Sequence, residues 1–231
     1  MMEEAMNRRN LLQRNAILIL VFTALIAQIV GQYLFRWKTE DGFYSSWVLL
    51  RIVFPLLMVW MVGIPFRQLG LGRPGVDAGL WRAFLIIIAG GALIFIGLYF
   101  FSGYFDTYSD NFRRNGPDAV ARLKRFLIFS SSTIPAWEFL HRSVLLMGIY
   151  YILTQREEVQ ERIAKQVCIA LVCAFEVLFH FIKEKSCVEP LTLLIGSPIL
   201  SYLTLRTGSI WIALILHALV ELSFIVLVIL S

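Results

Sequence analysis

The chain has 231 residues and a formal net charge of +5, from 21 Lys and Arg against 16 Asp and Glu. It is 58% hydrophobic and only 16% charged, with a mean hydropathy of +0.74, whereas soluble domains run nearer about 45–50% apolar and about 25% charged. That composition excludes an ordinary soluble domain, and the absence of a basic stripe with interleaved aromatics excludes a nucleic-acid partner.

Reading for spans of about 20 apolar residues gives Ala16–Phe35, Trp47–Ile64, Ala83–Phe101, Phe126–Leu153, Ala164–Ile182, Leu191–Leu205 and Ser209–Leu230. The expectation is an all-α, polytopic transmembrane helical bundle of about 7–8 helices. Residues 1–231 form one integral membrane domain, multi-pass in the cell or inner membrane, with the lipid bilayer as a partner. The first run has the length of a span rather than of a signal core. Lys and Arg divide evenly between the two sides, so the positive-inside rule assigns no orientation.

Gly70–Gly79 reads as a turn, and Asp106–Arg125 as the largest polar connection. Pro117–Phe129 has the pattern of an amphipathic surface helix. Ser130-Ser-Ser-Thr-Ile-Pro135 interrupts the fourth run. Pro135 removes a donor and disfavours helix before it, so a kink or a fresh helix start is expected there. In the second case Glu138 falls in a first turn, where the helix dipole favours its charge. Ser209 reads as the N-cap of the last helix. Cys168, Cys173 and Cys187 lack CxxC spacing and read as small apolar packing residues, not a disulfide framework or zinc knuckle.

Ionisable groups inside a bilayer cost roughly 2.5–3.5 kcal/mol each on insertion scales and are read as functional by default. They concentrate in residues 126–231, the motif-bearing core. In Trp137-Glu138-Phe-Leu-His141-Arg142, the charged groups share one helical face. Arg142 either neutralises Glu138 as a buried ion pair or holds it ionised as a base. His141 reads more readily as structural. In Glu176-Val-Leu-Phe-His180-Phe-Ile-Lys183, Glu176 reads as an internal acceptor, and His180 either caps the helix or reacts. Lys183 and Glu189 are solvated interfacial charges or the mouth of a site beside His180. His217 and Glu221, four apart in the last run, have no packing reason to be there. There is no HExxH or GxSxG. A three-His zinc site would need His141 to point where Glu138 points, so no metal or other cofactor is expected.

In this order the motifs resemble the CPBP family of CAAX prenyl endopeptidases, bacteriocin-processing enzymes and related Abi proteins. The family pattern is EExxxR, then FxxxH, then HxxxN or HxxxD. Here Trp137-Glu138-x-x-x-Arg142, a Phe-rich stretch ending in His180, and His217-x-x-x-Glu221 correspond, over Pro135–Ser231. Trp137 replaces the first Glu, Phe175 stands five residues before His180, and Glu221 replaces Asn or Asp. A family variant written WEFxxR, with H-x-x-K and a downstream Glu, matches Lys183 and Glu189.

The resemblance implies an intramembrane endopeptidase that cuts a membrane-associated peptide or protein substrate. Glu138 and His180 would then activate water, with Arg142 orienting Glu138. His217 would stabilise the oxyanion or orient the substrate, and Glu221 would either fix the His217 tautomer or be protonated through burial in low dielectric. A catalytically silent peptide-binding relative, a proton-coupled carrier and a metalloprotease are the alternatives.

Overall fold

The computed structural model describes residues 14–35, 49–101, 118–182 and 188–230. The apolar first run is α1 (Ala16–Phe35). A π-helical turn, Leu49–Val53, passes into α2 (Phe54–Met61), with Pro55 in the first turn, where its missing N–H leaves no gap. After α3 (Ala78–Phe101) come α4 (Ala119–Glu138), a π-helical stretch over Phe139–Met147, and α5 (Gly148–Thr154). The chain closes with α6 (Glu161–Ile182), α7 (Val188–Thr207) and α8 (Trp211–Leu230). The described residues are all-helical, with eight α-helices and no strand.

Two local expectations need correcting. The first half of α4 is not a separate surface helix: Asp118 caps α4, accepting from Ala121 N–H at 2.8 Å, and the helix runs on without a break. Nor does a helix start afresh at Pro135, which lies inside α4. The ladder widens immediately afterwards into the π-helical stretch, a known way for a helix to absorb an irregularity in its hydrogen bonding. Glu138 is therefore the last residue of α4, not part of a positive first turn. Ser209 Oγ does accept from Trp211 N–H, at 3.4 Å, at the start of α8, and its hydroxyl also donates to the Gly72 carbonyl at 2.7 Å.

The π-helical stretch is the axis of the fold. All nine residues Phe139–Met147 are buried, so neighbours cover the rod on every side. Leu140, Val144, Leu145 and Leu146 pack with Leu20, Ala24 and Ala27 of α1, Val59 of α2, and Cys168 and Val172 of α6. The alanines let α1 approach closely, and Cys168 packs as a small apolar residue. Cys187 lies outside the described residues.

The outer surface is apolar: Phe22, Trp60, Ile86, Phe100, Phe181 and Ile195 are among its exposed large side chains. By length and composition one described helix, Glu161–Phe181, is sufficient to cross a membrane. Ala16–Gly31, Leu50–Met61, Gly79–Leu93 and Trp211–Ser223 are shorter apolar helices.

Candidate functional site

Where α4 becomes π-helical it delivers Trp137, Glu138, His141 and Arg142 into the interior, all buried. Arg142 faces α6. Its Nη1 donates to Glu176 Oε1 at 3.0 Å and its Nη2 to Oε2 at 3.1 Å, a bidentate pair. The Trp137 indole N–H donates to the same Oε1 at 2.9 Å. Only Nε of Arg142 turns toward Glu138, at 3.6 Å from its Oε2. Glu176 is thus the main counter-ion of Arg142, and the expected Arg142–Glu138 pairing is reduced to an edge contact.

Glu138 instead reaches across to α8. Its Oε1 lies 2.6 Å from His217 Nδ1, joining residues 79 positions apart. A carboxylate at Glu138 can only accept, so it selects the tautomer with the proton on Nδ1 and leaves Nε2 as the basic nitrogen of the neutral ring. Nε2 faces Glu221 Oε1 at 3.9 Å, too far for a hydrogen bond. Exposure rises along this row, from 0% for the Glu138 side chain to 23% for His217 and 42% for Glu221. A sealed carboxylate therefore orients an imidazole whose other edge opens outward.

His180 is not the hydrogen-bond partner that Glu138 finds. Its Nδ1–H donates to the Glu176 carbonyl at 2.8 Å, and its ring stands edge-on to Trp137 with centroids 5.3 Å apart. Trp137 also meets the His141 ring, at a centroid distance of 4.2 Å, the Phe179 ring, at 5.8 Å, and the Arg51 guanidinium, 5.1 Å above the indole.

His141 belongs to a chain that the motifs leave out. Nδ1–H donates to the Trp137 carbonyl at 2.8 Å, so Nε2 accepts from the Gln28 amide at 2.9 Å. Gln28 Oε1 accepts in turn from Arg51. Both ring nitrogens of His141 are engaged, and it does not point where Glu138 points, as a three-His metal site would require. Among the described residues no group of three or more His, Cys, Asp and Glu side chains is arranged to hold a metal ion.

Gln28 and Arg51 come from α1 and the π-helical turn before α2, outside the stretch that carries the motifs. Each is a polar exception within an apolar run, the signal that marks Glu138 and His217. Lys183 lies outside the described residues. The backbone of Glu189 is in α7, and its side chain lies outside them.

The start of α8, and with it His217, is held by the Gly70–Asp77 segment. Ile210 N–H donates to the Gly70 carbonyl at 2.9 Å and Gly75 N–H to the Thr207 carbonyl at 3.1 Å. The Trp211 indole donates to the Leu71 carbonyl at 3.1 Å, and Arg206 Nη2 meets both Asp77 oxygens at 3.1 and 3.0 Å. Asp77 also accepts from Leu80 N–H at 2.6 Å at the start of α3. That backbone bond, with the Arg206 guanidinium beside it, holds the Asp77 carboxyl below its ordinary range.

Compared with family models, curated proteins and solved structures, the chain gives no match.

Proposed function

We infer that this chain is a multi-pass membrane protein whose helices enclose a hydrolytic site, and that it cleaves a peptide bond in a membrane-associated substrate. The membrane reading is supported by an inverted distribution of side chains. Glu138, Arg142, Glu176, Gln28 and Arg51 are buried while Phe22, Trp60, Phe100 and Phe181 are exposed. In water that exterior would be one large sticky surface, whereas in lipid it is the solvated face.

The observation that carries the hydrolase is the 2.6 Å bond between buried Glu138 and His217. A carboxylate that fixes Nδ1–H leaves Nε2 as a general base, the same division of labour as in a carboxylate–histidine dyad. On this reading His217 Nε2 takes a proton from water as the water oxygen bonds to the scissile carbonyl carbon. It returns that proton to the amine as the C–N bond breaks. Glu138 stabilises the transient imidazolium, and Arg142 bound to Glu176 keeps the surrounding charge balanced. The motif order, with its resemblance to the CPBP endopeptidases, supports the same reaction class. This reading differs from the expectation in taking His217 as the base and Glu138 as its orienting group.

The test is reconstitution in vesicles with a farnesylated CAAX peptide and a set of leader and tail peptides, with products read by mass spectrometry. Cleavage that falls about 10²–10⁴-fold in both His217→Ala and Glu138→Gln is expected. Full activity in His217→Ala would remove the base assignment.

Trp137 favours a second reading, a catalytically silent relative that binds a peptide. The buried indole occupies the first-Glu position and is held by Glu176, Arg51 and His141. Peptide binding without any product, unchanged in Glu138→Gln, would favour it.

A further inference from the structure

A second polar cluster lies away from the Glu138–His217 pair and shares no residue with it. Where α6 begins and α7 ends, the two helices leave a cavity of about 370 Å³ between them, a size typical of small-ligand sites. Arg162, Lys165 and Ile169 of α6 line it with Tyr202, Leu205 and Arg206 of α7. The Tyr202 side chain lies against Arg206 and near Lys165, so three cations and a phenol share one end of the groove.

The nearby acids are anchored at its rim. Glu161 pairs with Lys165 at 2.7 Å and also accepts from Tyr150 O–H at 3.1 Å. Asp77 pairs with Arg206 at 3.0 Å and is held by Leu80 N–H at 2.6 Å. Both acid side chains are about two-thirds exposed, at 66% and 64%, and exposed pairs hold their cations weakly. Arg162 has no ion-pair partner among the described residues. Three cations against two acids leave the groove with one net positive charge.

The groove opens sideways onto the apolar exterior. Tyr202 is 53% exposed, and Ile195, two turns away on the same face of α7, is 59% exposed. Tyrosine favours the boundary between headgroups and hydrocarbon, and basic pockets between membrane helices suit anionic headgroups.

We propose that this groove binds one anionic phospholipid, its phosphate among Arg162, Lys165 and Arg206 and an acyl chain running past Ile169 toward Ile195. The occupant follows from the order of the lining, with positive charge at the helix ends and apolar side chains further in. A soluble anion would use only the first, and a neutral lipid only the second. The inference rests on the membrane reading but not on the hydrolase.

The experiment inserts the full chain in phosphatidylcholine vesicles, with flotation to verify insertion. A trace of phosphatidylglycerol or of phosphatidylcholine, each photoreactive near the glycerol, is added, and the labelled residues are mapped by mass spectrometry. One cation near a membrane surface favours anionic lipid about fivefold, so labelling of residues 161–169 and 195–206 should be at least about tenfold stronger with phosphatidylglycerol. Arg162→Gln with Lys165→Gln should remove that preference. Arg206 is left in place because it also holds Asp77. Ile169→Trp, which fills the groove and keeps every charge, should weaken the labelling too. Arg156→Gln, in the turn before α6 and outside the groove, should leave it unchanged.

Equal labelling by the two lipids overturns the proposal, as does a preference that survives the double replacement or falls equally in Arg156→Gln. Displacement of the lipid by excess inorganic phosphate at constant ionic strength assigns the groove to a free anion and also overturns it. A chain that does not float with the vesicles removes the membrane reading as well, whereas insertion without a preference removes the lipid site alone.

Discussion

Arg142 grips Glu176 with both terminal nitrogens and meets Glu138 only through Nε, at 3.6 Å. The arginine therefore serves mainly to neutralise an acid on α6, which leaves Glu138 available to His217. Glu176→Ala should strand a buried guanidinium and cost about 3–5 kcal/mol, the usual penalty for removing one member of a buried pair. Thermal unfolding in detergent measures it. The double replacement Arg142→Met with Glu176→Leu should recover much of that loss, because it removes both charges together. A double variant as unstable as the single one would show that the pair contributes more than charge cancellation.

Trp137 offers a cleaner separation of packing from hydrogen bonding. Trp137→Phe keeps a ring beside His141 and His180 but removes the N–H that reaches Glu176 at 2.9 Å. Losing a donor to a buried charged acceptor should cost about 1–3 kcal/mol. Trp137→Glu should cost more, since it loses the same donor and brings a third carboxylate beside Glu138 and Glu176, which Arg51 above the ring offsets only in part. Melting temperatures of the two variants rank them. A Trp137→Glu protein more stable than Trp137→Phe would mean that the position was built for an acid.

The all-helical fold was legible because long apolar runs carry their own signal, and all eight α-helices lie within or largely overlap the runs read from sequence. Glu138, Arg142, His217 and Glu221 were legible as polar exceptions in apolar surroundings. Their partners were not. Spacing on one helix shows which residues share a face, which suggested Glu138 with Arg142. Whether Arg142 prefers Glu176, or Glu138 prefers His217, depends on how α4, α6 and α8 pack. The π-helical stretch after Pro135 was also hidden, since Pro135 equally suits a kink or a stop. Gln28 and Arg51 carried the right signal but lay outside every motif, so nothing tied them to His141.

Gly70 and Gly208 allow a graded test of how firmly the base of α8 must be held. Both have left-handed backbones, with φ of 68° and 64°, so a side chain at either costs about 1–2 kcal/mol. A Cβ at Gly208 would meet nothing within 4 Å, whereas one at Gly70 would lie 3.3 Å from Met147 Cγ and 3.5 Å from the Gly208 carbonyl. Gly70→Ala should therefore lower the melting temperature more than Gly208→Ala. The opposite order would mean that the turn after α7, not the packing of Gly70 on the π-helical stretch, limits stability.

The Asp77–Arg206 contact ties α3 to the end of α7, and its pH dependence has a definite sign. The Leu80 N–H and the Arg206 guanidinium both favour ionised Asp77 and hold its carboxyl below the ordinary value. The unfolded chain thus takes up the proton at a higher pH than the folded one. The stabilisation is complete above the unfolded carboxyl's range, near about pH 4, and is lost as pH falls through the lower folded value. Unfolding midpoints of the unaltered chain and Asp77→Asn should differ at pH 7 and converge as the medium is acidified below that range. The side chain is 64% exposed, so added salt should narrow the difference at pH 7. A gap that widened on acidification would mean that Asp77 is protonated in the folded protein and that Arg206 is held by some other group.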